Sequence, residues 1–182
     1  MSKLEVDTID TRSGSSTLTL GSTNATTLAL NSSITTLPST MTNTPFFEAR
    51  RSGAHSFSAG TPTKVPFNVA YIDSDSAFDT SNNRFTVPSG KAGKYLFIAS
   101  VYQEVPSNDD RVFCLVYKNG SQVYATGLWG KTSKCTAMAS CYQDLADGDY
   151  IEIYTNTEGS GTVAIDPSDH YTRFTGMRVI GA

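Results

Sequence analysis

Residues 71–102 read YIDSDSAFDTSNNRFTVPSGKAGKYLFIASVY, and the fold of the chain follows from this stretch. Its first half is polar and rich in turn formers, with Phe78 and Phe85 standing alone as aromatic landmarks before Val87-Pro88. Its second half, opened by Gly93-Lys-Tyr-Leu-Phe97, is the most apolar strand pattern in the protein. Strand-forming side chains fill Tyr95 to Tyr102 almost without a break, which predicts a strand covered on both faces. Tyr95 and Phe97 are two residues apart and therefore share one of those faces.

The sequence on either side continues in the same style. Short runs with strand character recur at 45–51, 55–58, 63–67, 71–73, 84–87 and 93–103, and then at 111–118, 121–127, 134–145, 149–156, 162–165 and 172–180. Asn119-Gly120, between Phe113-Cys-Leu-Val-Tyr117 and Val123-Tyr124, is a two-residue hairpin sequence. Ala146-Asp-Gly-Asp149 is a second turn. No window has a useful helical period. Roughly ten short strands, with turns every 8–12 residues, predict an all-β jelly roll, sandwich or barrel.

Residues 1–44 are different in kind. Aromatic residues are absent before Phe46, and Ser, Thr and Asn dominate. Thr17-Leu-Thr-Leu20 recurs as Thr27-Leu-Ala-Leu30, and Ile34-Thr-Thr-Leu37 is a looser copy. Leu18, Leu20, Leu28 and Leu30 thus form an apolar stripe with strand periodicity. Strands so short and sparsely apolar cannot build a core within one chain. They become stable if identical chains pool their leucines, so a trimeric β stem is preferred here over a flexible tail. Pro38 and Pro45 punctuate the junction, giving an expected stem or anchor at 1–44 and a globular head at 45–182.

Composition narrows the function classes. The chain has 182 residues, 38% hydrophobic and 17% charged, with a formal net charge of −3. That balance gives no electrostatic case for a nucleic-acid partner. No run approaches the ~18 apolar residues of a membrane span, so no membrane insertion is expected. The first residues lack the apolar middle of a signal peptide, which favours synthesis in a cytosol. Cys114, Cys135 and Cys141 have no metal-ligand spacing and are expected as buried free thiols, because Cys135 and Cys141 share a strand face yet lie too far apart to bridge.

Several phrases together carry a family resemblance. Phe67, Asp73, Phe78, Phe85, Gly93-Lys-Tyr95 and Phe97 resemble the signature of the complement 1q-type globular head, a jelly roll close in shape to tumour necrosis factor. The spacing holds from Phe67 to Phe85; about two extra residues then fall in Ser89-Gly-Lys-Ala92, and Ala99 replaces the last aromatic. Phe113–Gly120, Leu145-Ala-Asp-Gly-Asp149 with Tyr-Ile-Glu-Ile after it, and Arg173-Phe-Thr-Gly-Met177 resemble later strands of that family, in order. The Ser/Thr-Leu stem, with Ile9-Asp-Thr-Arg-Ser-Gly14, resembles fibre proteins of tailed bacteriophages. The resemblance implies a homotrimer in which Phe67, Phe78, Phe85, Gly93, Tyr95, Phe97 and Phe174 serve core or trimer packing.

Candidate sites are sparse. There is no Gly-x-Ser-x-Gly elbow and no phosphate-binding glycine loop. His55 and His170 stand in polar, turn-like sequence, and Asp166-Pro-Ser-Asp169-His170 reads as a loop. Asp73, Asp75 and Asp79 put three carboxylates in one short segment and are the calcium candidates, although solvated loop acids of the same spacing are common. No other cofactor is expected. Trp129, the single Trp, lies in Gly127-Leu-Trp-Gly130 and is either a surface contact for a sugar or protein or a half-buried anchor.

The expectation is a non-enzymatic virion protein: a homotrimeric phage fibre or spike, on the tail or decorating the capsid. Its N-terminus would meet other virion proteins, and its knob would meet a host surface protein or glycan. The alternative is a secreted, calcium-dependent lectin or cytokine-like ligand of a cellular organism.

Overall fold

A computed structural model describes residues 42–104, 110–130, 134–168 and 170–179. The leucine stripe of Leu18, Leu20, Leu28 and Leu30 lies outside the described residues. Thirteen strands and no helix are present among them. They are β1 (Phe46–Arg50), β2 (His55–Ser58), β3 (Thr63–Lys64), β4 (Val69–Asp73), β5 (Phe78–Asp79), β6 (Arg84–Thr86) and β7 (Gly93–Glu104). After these come β8 (Arg111–Lys118), β9 (Ser121–Trp129), β10 (Lys134–Leu145), β11 (Tyr150–Thr157), β12 (Thr162–Ile165) and β13 (Arg173–Arg178).

Two antiparallel sheets form a jelly-roll sandwich. The first has the order β2-β12-β7-β13-β1-β4, with β10 on the other edge of β7. The second has the order β5-β6-β11-β8-β9, with β3 also paired to β11. β7 is the hub of the first sheet: β10 pairs with its whole length, β13 with its first half, and β12 joins at Gln103. The sequence reason is its length and its unbroken content of strand-forming side chains.

The signature aromatics pack between the sheets. Phe67, Phe78, Phe85, Tyr95, Phe97 and Phe174 are all buried within the single chain, joined by Phe47. The Phe47 ring stacks on Phe85 at 4.9 Å and meets Phe174 edge-on at 4.9 Å. Phe97 lies 5.6 Å from Phe85 and 5.8 Å from Phe174. Offset and edge contacts at these separations suit the ring quadrupoles as well as burying their area. Ala99, where the resemblance leads one to look for an aromatic, is buried between its cross-strand partners Phe174 and Ala139.

The strand at 93–104 differs from its expected double coverage. Its inner positions, Tyr95, Phe97, Ala99, Val101 and Gln103, are buried, while Ile98 is 40% exposed and Leu96, Ser100 and Tyr102 are half-buried. Among the described residues only one layer neighbours the first sheet, so the alternate residues of even an apolar strand face outward. The run expected at 63–67 also ends early. Val65 N still donates to Ile153 O, but Pro66 has no N–H to continue the ladder. The pair Phe78–Asp79, read from sequence as turn, forms a short strand against Arg84 and Phe85.

Turn chemistry fixes the strand ends. Asn119 and Gly120 both have positive φ, 51° and 78°, as a type I′ hairpin needs. Gly93 has φ 142°, and a Cβ there would stand 3.4 Å from Arg178 Nε.

Candidate functional site

The carboxylates proposed for calcium build loops. Asp73 accepts the backbone N–H groups of Ala77 and Phe78, one on each oxygen, at 2.9 and 3.0 Å. Asp75 accepts the Ser74 hydroxyl and pairs with Lys91 at 3.6 Å. Asp79 accepts from the Asn82 side chain and from the N–H groups of Ser81 and Asn82, which hold its pKa below the ordinary value. Asp73 and Asp79 thus cap their turns, and Asp75 is held by Ser74 and Lys91. Among the described residues no group of three or more His, Cys, Asp or Glu is arranged to hold a metal ion.

A second set of acids ties the hairpin ends together. Asp147 accepts N–H groups from Gly90, Lys91 and Ala92, and these donors lower its pKa. Asp149 accepts from the Asn119 side chain, Ala146 N and Lys118, and its pKa falls to about 2. Sequence reading placed the turn at 146–149 but missed that its aspartates organise the loops at 88–92 and 119–120.

The histidines are not brought together for catalysis. His55 opens β2 opposite Ile165, half-buried rather than in a solvated turn, and desolvation followed by the charge of Arg51 lowers its pKa. His170 is exposed in a turn. Asp166 is held by Lys134 at 2.7 Å, and Asp169 lies outside the described residues. All three cysteines are free thiols; burial pushes Cys114 up to about 12 and raises Cys135 and Cys141.

What remains is two exposed sheet faces. On the outer face of the first sheet, Tyr142, Leu96, Met177 and Phe46 are successive cross-strand partners on β10, β7, β13 and β1. With strands ~4.8 Å apart, this row runs about 14 Å across the sheet. Tyr142 is 68%, Met177 47% and Phe46 42% exposed. Ile98 lies on the next outward rung, between Ser140 and Thr175. On β10, Met138 and Tyr142 alternate with buried Ala137 and Ala139, the period-2 pattern of a strand with one outward face.

The outer face of the second sheet carries Trp129, 62% exposed, directly across from Arg111. The Arg111 guanidinium lies 5.2 Å from the Trp129 ring and 5.3 Å from that of Phe113. Its Nε and Nη2 donate to the Glu158 carboxylate, with Nη2 to Oε1 at 2.6 Å. The pair raises the pKa of Arg111 and lowers that of Glu158. Phe113 in turn lies against Gly127, where a Cβ would come within 2.7 Å of its ring. The glycine that flanks Trp129 in the sequence is therefore required by a neighbouring aromatic. Arg111 and Glu158 were not picked out as candidates; they are 47 residues apart and meet only through strand pairing.

This two-sheet sandwich is the complement 1q/tumour-necrosis-factor-like jelly roll. The globular domain of zebrafish complement 1qA aligns with 74% of the chain and 96% of its own length at TM-score 0.55 and 18% identity. Murine APRIL aligns over 74% of the chain and 98% of its own at TM-score 0.57 and 12% identity. Eiger TNF from S. frugiperda gives 75%, 92%, 0.52 and 12%. These likenesses are of fold. By sequence, the chain is similar to the phage-like element PBSX protein XkdV of Bacillus subtilis, 30% identical over 120 residues that cover 61% of this chain. It is also similar to the uncharacterized protein YqcC of the same organism, 31% identical over 131 residues covering 65% of this chain. The match spans only 17% and 35% of those two proteins. No protein-family model matches the sequence.

Proposed function

We propose that the protein is a structural component of a tailed-phage particle, a homotrimeric fibre or spike whose jelly-roll knob is exposed for adhesion to a host surface. The observation that carries this reading is the apolar row Tyr142-Leu96-Met177-Phe46 on the outer face of the first sheet. An apolar row of this extent facing water in one chain is the kind of surface that association covers. A second and third copy of the chain can bury it about a threefold axis, as the complement 1q-type resemblance implies. Similarity to a phage-element protein supports placement on a particle.

In this reading residues 1–44 dock or extend as the stem and the knob acts by binding, without chemical turnover. Three identical knobs on one stem raise weak contacts to useful avidity. Immunogold labelling of intact particles with an antibody raised against residues 46–179 tests the proposal. Gold at the tail tip or on the capsid surface is expected, and the position separates tail from head attachment. Unlabelled particles from a lysate that contains the protein would overturn it.

A further inference from the structure

If the first sheet turns inward in the assembly, the second sheet is the surface shown to the surroundings. Its outer face is neither flat nor featureless. Trp129 stands out from the last residue of β9, and one planar group, the Arg111 guanidinium, lies between it and the Phe113 ring. Gly127 lets Phe113 lie across β9 instead of standing off it. Farther along, Tyr117 and Tyr154 stack at 4.1 Å on the same face. From Arg111 to Tyr117 the face extends about 20 Å along β8.

We infer that Trp129, Arg111 and Glu158 form a binding site for a neutral saccharide, one per chain. The inference rests on the reading of the chain as an adhesive knob and names the chemistry of its ligand. The aliphatic C–H face of a pyranose fits an exposed indole, because the ring presents a negative quadrupole face to polarised hydrogens. Around that ring stand groups suited to hydroxyls. The indole N–H has no hydrogen-bond partner among the described residues, and neither has Arg111 Nη1. Glu158 Oε2 receives only the longer 3.1 Å bond from Arg111 Nε. These are two donors and an acceptor at the edge of one aromatic platform.

Charge selects the class. Arg111 and Glu158 neutralise each other through three contacts, so the platform has no net positive charge to recruit an anionic polymer. The fixed pair also orients its spare donor and acceptor before a ligand arrives, which reduces the ordering cost of binding.

Trp129 is the only tryptophan, so tryptophan emission excited beyond the absorption band of the nine tyrosines reports this site alone. The test titrates the protein with maltohexaose, cellohexaose, chitohexaose and a mannohexaose, at concentrations up to millimolar. A saturable blue shift of emission is expected with at least one. In R111Q and E158Q the same titration should need at least tenfold more sugar, with the melting temperature of each within a few degrees of wild type. In W129A, binding to the same sugar immobilised on a surface should be lost. Emission that no sugar in the panel moves, or binding retained in W129A, overturns the inference. A protein that labels particles but fails this titration loses only the saccharide site. One that passes the titration and is absent from particles keeps the site and loses the virion reading.

Discussion

Gly176 and Phe97 are cross-strand partners on β13 and β7, and the Phe97 ring fills the space where a side chain at 176 would stand. A Cβ at Gly176 would lie 2.6 Å from Phe97 Cδ1 and 2.5 Å from Phe47 Cε1. Both rings sit in the aromatic core, wedged by Phe85 and Phe174, so neither can retreat without disturbing others. G176A is therefore expected to cost about 1–3 kcal/mol, the usual penalty of overpacking a filled core. Urea unfolding of G176A beside wild type measures it. An unchanged midpoint would mean the rings shift freely.

A buried polar bridge joins the two sheets. Gln103 on β7 is fully buried, and its side-chain oxygen lies 2.9 Å from Thr155 Oγ1 on β11. The same hydroxyl is 2.8 Å from Phe113 O, so its single proton serves one acceptor at a time. T155V should destabilise by about 1–3 kcal/mol, because it leaves the buried Gln103 side-chain oxygen without its partner. The double variant T155V/Q103L removes both partners and should recover part of that loss. A double-mutant cycle on melting curves decides: additive effects would show that the bridge contributes nothing as a pair.

The fold was legible because two independent patterns agree on it. The phrases from Phe67 to Phe97 and the Asn119-Gly120 hairpin are local, and local chemistry survives in a linear reading. Phe67 is buried in the core even though Pro66 ends its strand. Face assignment was harder. Leu96 and Ile98 look like core residues in an apolar run, and only pairing with β10 and β13 shows that they face outward. The Trp129 site was legible by half. An isolated Trp between glycines is conspicuous, whereas Glu158 reaches Arg111 from the bend after β11 and has no local mark. For the aspartates at 73, 75 and 79, close spacing in sequence is compatible with a cation or with loop acids, and in the fold backbone N–H groups use Asp73 and Asp79 as caps.

Acid should loosen the molecule at the β10–β11 turn. Asp149 has its pKa lowered to about 2, first by the Asn119 side chain, then by Ala146 N–H and Lys118. An unfolded aspartate titrates near about 3.9. Between these values the unfolded chain binds more protons than the folded one, so stability rises with pH across the window. The contribution is complete above about pH 4 and is lost as pH falls toward 2. Melting temperatures of wild type and D149N, followed from pH 6 to 2, should differ most at the upper end and converge at the lower. A constant difference would show that the charge of Asp149 is irrelevant to folding. Asp147 and Asp166, also held below the usual range, lower both curves together.

The assembly proposal makes the sharpest demand on Met177. It lies in the middle of the outward row, flanked by Leu96 and Phe46, and is 47% exposed in the single chain. A carboxylate there is tolerated by a monomer, since water reaches it. In a trimer that buries the row it is desolvated three times over, at a cost of several kcal/mol per charge. Light scattering on a sizing column should give wild type a mass near three times the 19.5 kDa chain. M177D should give the single-chain mass at the same micromolar concentration, with an unchanged far-ultraviolet spectrum. V123D is the control, because Val123 is similarly exposed on β9 in the other sheet and should leave the trimer intact. A wild-type monomer would remove the trimer altogether. A trimer that survives M177D but not V123D would move the threefold contact to the second sheet, and with it would bury the face on which Trp129 stands.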